Sequence, residues 1–178
     1  MYIVAGRLKG RRFSSFKSLK VVEARIKKVL YNLIRDKINQ AKVLDLFAGS
    51  GSLGIEALSW GAKEVVFVDI NKRNIDLVRK NLASLGLLGA SQFYCKDAIL
   101  ACKKFWERKE KFDFIFLDPP YGRGLLTKSL KTIRVYDIVA PSGFIVSLGW
   151  HKEEPATDFS CIFNRRYGDR LIRFYQKQ

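Results

Sequence analysis

Four consecutive residues, Asp118-Pro119-Pro120-Tyr121, carry the most specific chemical signal in the sequence. They end an apolar run, FDFIFLD at 112–118, which we predict to be a buried strand. The prolines stop that strand and hold the backbone rigid without donating hydrogen bonds. The carboxylate of Asp118 and the carbonyl of Pro119 then form a local pair of acceptors. Tyr121 adds a flat surface on which a ring can stack.

This set of groups suits the transfer of a carbon group to an exocyclic base amine. Such an amine is a poor nucleophile because its lone pair is delocalised into the ring. Two acceptors on its N–H bonds favour a pyramidal nitrogen and stabilise the positive charge that develops. Fixing both reactants in line supplies much of the remaining advantage, without a metal or a covalent nucleophile. A proline-terminated turn with an incidental tyrosine is the alternative. We therefore predict a catalytic site without a metal, made of Asp118, Pro119, Pro120 and Tyr121.

A glycine-rich loop, Gly49-Ser-Gly51-Ser-Leu-Gly54, lies between an apolar strand and a helix. It matches the fingerprint GxGxxG, and Asp69 follows about 20 residues later, where an acidic side chain can accept both ribose hydroxyls. Glycine lets the backbone approach a ligand closely, so the loop predicts a cofactor that contains a nucleoside. On this motif alone, a nicotinamide coenzyme and a loop that is glycine-rich only for packing both remain open.

Asp45, which ends the strand before that loop, discriminates between cofactors. Its carboxylate would repel a pyrophosphate but attract the ammonium group of a methionine moiety. Asp97, near the end of a third strand, is placed to accept a hydrogen bond from an adenine amine, with capping of the next helix as the alternative. Ligands of open α/β sheets bind at the carboxyl ends of the strands. The pattern therefore favours S-adenosylmethionine, because successive strands end in Asp45, Asp69, Asp97 and Asp118.

The elements that must position these residues alternate along the chain, which indicates a parallel sheet covered on both faces. The predicted strands are 42–48, 64–70, 92–98, 112–118 and 143–149. The predicted helices are 22–38, 55–60, the segment from Asn71 to Gly86, a segment ending at Trp106, and 125–139. Two alternating runs around Tyr167-Gly168-Asp169 predict a closing antiparallel hairpin. We predict a single domain with the Rossmann-like α/β fold of class I methyltransferases, made of a basic N-terminal arm and helix (1–40) and a catalytic core (41–178).

Charge identifies the expected partner. The sequence has 33 Lys and Arg against 17 Asp and Glu, for a net charge of +16. Residues 1–40 hold 11 of the basic side chains, Lys17, Lys20 and Lys27 among them, against only two acidic ones. Such an arm is expected to bind nucleic acid. It should neutralise phosphates with a salt-dependent affinity that does not depend on base sequence. A merely soluble basic protein is the alternative.

The sequence also predicts the compartment. No run approaches about 18 uncharged apolar residues, as a membrane span requires. The first residues lack the apolar region of a secretory signal. The three cysteines, Cys95, Cys102 and Cys161, form no CxxC pair, which fits a reducing environment and argues against a cysteine-based zinc site. We therefore expect a cytoplasmic protein.

Three segments, DLFAGSGSLGIEAL, VVFVDIN and FIFLDPPYGRGLL, resemble in order and spacing the RsmD family of bacterial methyltransferases. Those enzymes modify guanine N2 in small-subunit (16S) ribosomal RNA, and the similarity covers nearly the whole chain. The resemblance implies that the target guanine is held at 118–121 and that RNA contacts Arg7 and Arg25, to which the charged arm adds Lys9, Arg11 and Arg12. It also implies an S-adenosylmethionine site made of Asp45, Phe47, Gly49, Gly51, Asp69, Ile70, Asp97 and Ala98.

Two stretches depart from the family pattern. Lys20-Val21-Val22-Glu23-Ala24 stands where the family has an Arg-Pro-Thr segment, and Ser147-Leu148-Gly149 replaces a common glutamate. Three alternatives to the function implied by the resemblance remain: a DNA or RNA adenine-N6 methyltransferase, an RNA-binding module without activity, and a nicotinamide oxidoreductase. The segments between and after the predicted strands are short, so we expect no separate reader of DNA sequence. We expect a monomer acting on small-subunit ribosomal RNA, either naked or within a 30S particle.

Overall fold

The computed structural model describes residues 1–16 and 22–177. Lys17 and Lys20 of the basic arm, and Val21 of the departing stretch, lie outside the described residues. The described helices are α1 Ala24–Ile38, α2 Ser52–Ser59, α3 Lys72–Leu85, α4 Ala98–Glu107 and α5 Leu125–Tyr136. The described strands are β1 Lys42–Asp45, β2 Glu64–Asp69, β3 Ser91–Cys95, β4 Phe112–Leu117, β5 Val139–Trp150, β6 Ser160–Tyr167 and β7 Arg170–Gln176.

The strands form one sheet in the order β3-β2-β1-β4-β5-β7-β6. Strands β1 to β5 pair in parallel, whereas β7 pairs antiparallel with both β5 and β6. The predicted fold class, a mostly parallel sheet with a C-terminal hairpin, is therefore confirmed. The strand order reverses between β1 and β4, and a crevice for ligands opens at such a switch point.

Helices cover both faces of the sheet. On one face, α1, α2 and α3 pack apolar side chains against strand residues such as Phe67 and Phe114, whereas α4 and α5 cover the opposite face. The predicted boundaries of α3 are confirmed. The Asn71 side chain accepts a hydrogen bond from the Arg73 N–H, and Gly86 ends the helix in the left-handed conformation. No helix of the described part of the chain has the length and apolar composition needed to cross a membrane.

Several predicted boundaries were wrong. Helix α2 begins at Ser52 rather than residue 55, because Gly51 takes a left-handed conformation that starts the helix directly after the loop. Strand β3 ends at Cys95, so Asp97 lies beyond the strand. Helix α5 stops before Asp137, whose φ is 47°, and Val139, the last residue of the predicted helix, begins β5 instead.

Residues 1–13 fold into a small N-terminal hairpin rather than a free arm. The Ile3 N–H donates to the Arg11 carbonyl at 3.0 Å, and the Phe13 N–H donates to the Met1 carbonyl at 3.0 Å. The side chains of Ile3 and Phe13 are buried in the main core. The basic segment therefore reaches the protein surface from a packed, fixed base.

A buried carboxylate anchors this hairpin. Glu56 of α2 accepts hydrogen bonds from the Val4 N–H at 3.0 Å, the Ala5 N–H at 2.9 Å and the Lys27 ammonium at 3.1 Å. The Lys27 ammonium also donates to the Tyr2 carbonyl at 3.1 Å. Counting Lys27 among the phosphate-binding cations of the arm was wrong, because its side chain is only 2% exposed.

Candidate active site

A cleft of about 670 Å³ opens at the carboxyl ends of the parallel strands. Its volume lies within the range of small-molecule and cofactor sites. The cleft brings together eleven of the twelve residues predicted for catalysis and cofactor binding, namely Asp45, Phe47, Gly49, Asp69, Ile70, Asp97, Ala98, Asp118, Pro119, Pro120 and Tyr121.

Asp69 is held rigidly where β2 ends. Its Oδ2 accepts hydrogen bonds from the Gly49 N–H at 2.9 Å and the Asn74 side-chain amide at 3.1 Å. Its Oδ1 accepts from the Asn71 N–H at 2.8 Å. These donors fix the carboxylate before any ligand arrives, so a hydroxyl pair meets an acceptor that needs no reorganisation.

The glycines of the loop serve different purposes. Gly49 lines the cleft with a φ of 54°, and a Cβ there would meet nothing within 4 Å, so the backbone conformation is what favours glycine. Gly51 does not line the cleft. It also has a positive φ, and a Cβ would lie 3.1 Å from the Val78 methyl groups. A Cβ on Gly54 would lie 2.2 Å from the Phe67 ring, so this glycine permits close packing of helix on strand.

Asp45 is the most deeply buried carboxylate of the cleft, with 1% of its surface exposed. Its Oδ2 accepts a hydrogen bond from the Gly54 N–H at 3.0 Å. The pKa of Asp45 is raised to about 7, chiefly by burial; the Gly54 hydrogen bond lowers it, and the negative charges of Asp118 and Asp69 add to the rise. A cation bound beside Asp45 would therefore favour its ionised form.

Asp97 caps the next helix and also lies in the cleft. Its Oδ1 caps α4 by accepting from the Ile99 N–H at 2.8 Å, and the same residue lines the cleft. Ala98 is buried beside it, and Phe47 is half-buried. Ile70 lies on the cleft wall and is 73% exposed. Its apolar side chain could therefore pack against the face of a flat ring bound in the cleft.

The 118–121 segment follows directly on the last residue of β4. Pro119 is buried and Pro120 is exposed. Burial, followed by the charge of Asp118, raises the pKa of Tyr121 to about 12. The phenol therefore stays protonated near neutral pH and offers a ring face rather than a proton acceptor.

Arg170 completes this group and was missed from the sequence. Its Nη1 lies 3.1 Å and 3.3 Å from the two carboxylate oxygens of Asp118. Its guanidinium carbon lies 5.6 Å from the centroid of the Tyr121 ring. Antiparallel pairing of Arg170 with Trp150 in β5 brings it to this edge from 52 residues away. No local pattern in the sequence reports such a contact.

The five predicted RNA contacts, Arg7, Lys9, Arg11, Arg12 and Arg25, are all exposed. None of the five lines the cleft. The Arg7 N–H donates to the carbonyl of Ser59, the last residue of α2, whereas Ser52 at the other end of that helix lines the cleft. Eight helical residues span about 12 Å. The tip of the N-terminal hairpin therefore lies roughly one short helix away from the cleft.

The chain is similar to known proteins in sequence and in fold. The model of the family described as conserved hypothetical protein 95 matches residues 1–176. Ribosomal RNA small subunit methyltransferase D of Haemophilus influenzae is 33% identical over 98% of this chain and 92% of its own length. The solved structure of yhhF from Escherichia coli, a candidate methyltransferase, superposes with a TM-score of 0.86 at 27% identity, covering 100% of this chain and 98% of its own. A SAM-dependent methyltransferase from Agrobacterium tumefaciens gives a TM-score of 0.63 at 26% identity, covering 80% of this chain and 50% of its own.

Proposed function

Because the chain belongs to the RsmD family, described as conserved hypothetical protein 95, we propose that it transfers a methyl group from S-adenosylmethionine to the exocyclic N2 of a guanine in small-subunit ribosomal RNA. The observation that carries this proposal is the meeting of two sets of groups in one cleft. Asp45 and Asp69 suit a charged nucleoside cofactor, whereas Asp118 and Tyr121 suit a base amine.

The residues of the cleft fit S-adenosylmethionine, which supplies a methyl group on a positively charged sulfur. Asp69 would accept hydrogen bonds from the ribose hydroxyls in the orientation set by its three donors. Asp45 would face the ammonium group of the methionine moiety. Ile70, Asp97 and Ala98 line the wall where an adenine ring would lie. Gly51 would act indirectly, by shaping the loop.

The Asp118–Tyr121 segment would hold and activate the target amine. The Asp118 carboxylate and the Pro119 carbonyl accept hydrogen bonds from the two N–H groups of the amine. This directs the nitrogen lone pair towards the methyl group. The same acceptors stabilise the charge that the nitrogen gains during transfer. The Tyr121 ring supports the flat base by stacking. Because its phenol stays protonated, the proton lost from the amine would pass to another acceptor, for which solvent suffices.

The substrate would be a structured RNA that presents an unstacked base. A base inside a duplex is unreachable to an enzyme that acts on its amine. The exposed cations of the N-terminal hairpin do not line the cleft, so they would bind phosphates next to the target rather than the target itself. We propose that a monomer performs this reaction on naked rRNA or on an assembling 30S particle.

The experiment that tests this function is the transfer of a labelled methyl group to small ribosomal subunits from cells that lack the enzyme. Naked rRNA and duplex DNA are assayed in parallel, and the products are digested to nucleosides. N2-methylguanosine in rRNA would support the proposal. N6-methyladenine in DNA would keep the catalytic site but overturn the substrate, and no labelled product in any nucleic acid would overturn both.

Cofactor affinity is expected to rise with pH. Asp45, with its pKa of about 7, must be ionised to pair with the ammonium group, and it is mostly protonated at about pH 6. The apparent affinity scales with the ionised fraction, so S-adenosylmethionine should bind about tenfold more weakly at about pH 6 than at about pH 8. Calorimetric titration at both pH values checks this. The Asp45→Asn variant is the matched control and should show weaker affinity without the pH dependence. An equally steep dependence in that variant would assign the titration to another group.

The N-terminal hairpin is expected to bind RNA through charge. Replacing Arg7 and Arg12 with glutamine should weaken RNA binding and lower the slope of log affinity against log salt by about 1 for each residue. Filter binding of rRNA at several salt concentrations measures that slope. The control, Lys131→Gln, removes an exposed cation of α5 on the opposite face of the sheet. An equal change in slope per removed charge in the two variants would show that only net charge matters.

A further inference from the structure

The ion pair between Asp118 and Arg170 is the feature of the cleft that the proposed reaction does not use. One guanidinium nitrogen contacts both carboxylate oxygens, at 3.1 Å and 3.3 Å. The two side chains are only 11% and 15% exposed. The guanidinium also lies over the Tyr121 ring, 5.6 Å from its centroid. Arg170 therefore engages, in the free protein, both groups to which the target base is assigned.

The Arg170 guanidinium and the amine of a target base have similar chemistry. Nη1 of Arg170 is an NH₂ group on a planar carbon, and its lone pair is delocalised. An exocyclic base amine has the same description. Guanine is the closest match among the bases, because its N1–C2–N2 edge is itself a guanidine fragment with two neighbouring donors. Adenine and cytosine place an acceptor nitrogen beside the amine.

We propose that Arg170 is a place-holder for the target amine. Its guanidinium occupies the amine-binding position until the base enters and displaces it. An entering base must replace charge-assisted hydrogen bonds to Asp118, which are stronger than neutral ones. Guanine can do so with its N1–H and N2–H groups together. Adenine and cytosine offer only the amine and compete less well. This inference rests on the proposed function in assigning Asp118 and Tyr121 to the amine.

Displacement lowers the apparent affinity for the base, because only the fraction of molecules with Arg170 withdrawn is competent to bind. Removing the side chain should therefore tighten base binding. Its loss also leaves a half-buried carboxylate that a base amine can satisfy. A residue that merely oriented Asp118 during the reaction would give the opposite result, since its loss would slow the reaction.

The first test measures nucleoside binding and needs no catalysis. The protein is saturated with S-adenosylhomocysteine to block the cofactor site, and guanosine or adenosine is titrated by saturation-transfer NMR. Arg170→Ala and the milder Arg170→Gln are compared with Arg166→Gln, which removes an exposed arginine from the same hairpin. We expect both Arg170 variants to bind guanosine and adenosine more tightly by the same factor, about fivefold to tenfold, because the cost of withdrawing Arg170 is the same for either base. Arg166→Gln should bind both nucleosides like the wild type. Unchanged, weaker or undetectable guanosine binding in the Arg170 variants would overturn the place-holder.

A kinetic test separates this inference from the proposed function. With small ribosomal subunits as substrate, Arg170→Gln should lower KM without lowering kcat. A fall in kcat at unchanged KM would overturn the inference and make Arg170 a positioning residue for Asp118. If the wild type methylates no RNA, the proposed function fails, and the nucleoside titration still decides whether Arg170 occupies an amine site.

Discussion

Replacing Asp118 with alanine is expected to abolish methyl transfer to ribosomal RNA while S-adenosylmethionine still binds. The variant loses the carboxylate that accepts a hydrogen bond from the target amine, whereas the carboxylates of Asp45 and Asp69 remain in place. Removing one preorganised hydrogen-bonding group from a developing charge lowers kcat by about 10²–10³-fold. Loss of the orientation of the amine lowers it further. Single-turnover methyl transfer and calorimetric titration of the cofactor measure the two effects separately.

A series at this position tests the reason for the loss. Asp118→Asn keeps one carbonyl acceptor and should fall between the wild type and Asp118→Ala. Asp76→Ala removes a carboxylate from the exposed side of α3 and should keep the wild-type rate. Wild-type rates in Asp118→Ala would remove the mechanism. Parallel loss of cofactor affinity and activity would instead assign Asp118 to the cofactor.

The order of elements could be predicted because each carries a local signal. Buried strands such as EVVFVD are continuous apolar runs, and α3 has an asparagine cap at one end and a glycine at the other. The boundaries that were wrong depend on partners distant in sequence. The sequence places Val139 at the end of a predicted helix, but in the structure Val139 pairs with Phe112 in the neighbouring strand. Such a pairing overrides local helical periodicity.

The site could be predicted to the extent that it consists of strand ends. Asp45 ends β1, Asp69 ends β2 and Asp118 directly follows β4, so the sheet itself brings them together. Arg170 reaches the cleft through an antiparallel hairpin, whose position beside β5 the sequence does not encode locally. One arginine among 33 basic residues carries no mark of its partner.

The N-terminal segment shows a similar division. The positive charge of this segment was evident from its composition, but its packing was not. Lys27 lies among other cations, and that pattern predicts an exposed side chain. Burial of Lys27 depends on Glu56, 29 residues away in α2. An ion pair whose side chains are 2% and 0% exposed stays satisfied only while both partners remain. The base of the hairpin therefore depends on that pair.

Replacing Lys27 with methionine is expected to destabilise the whole protein. Methionine fills similar volume but leaves the Glu56 carboxylate buried without its cation. Breaking a buried pair from one side costs about 3–5 kcal/mol of unfolding free energy. In a chain of this size that lowers Tm by roughly 10 °C. Urea unfolding and thermal unfolding monitored by circular dichroism measure both quantities.

A control variant and a double variant test whether loss of the Lys27–Glu56 ion pair causes the destabilisation. Lys28→Met changes the neighbouring exposed lysine and should leave stability within about 0.5 kcal/mol of the wild type. Combining Lys27→Met with Glu56→Gln removes the unpaired charge while a carbonyl oxygen remains for the Val4 and Ala5 N–H groups. The double variant should therefore lose less than the sum of the two single variants. Strict additivity would mean that Lys27 and Glu56 act independently. RNA affinity should fall with hairpin stability in the same series, because the cations of the hairpin lose their fixed base.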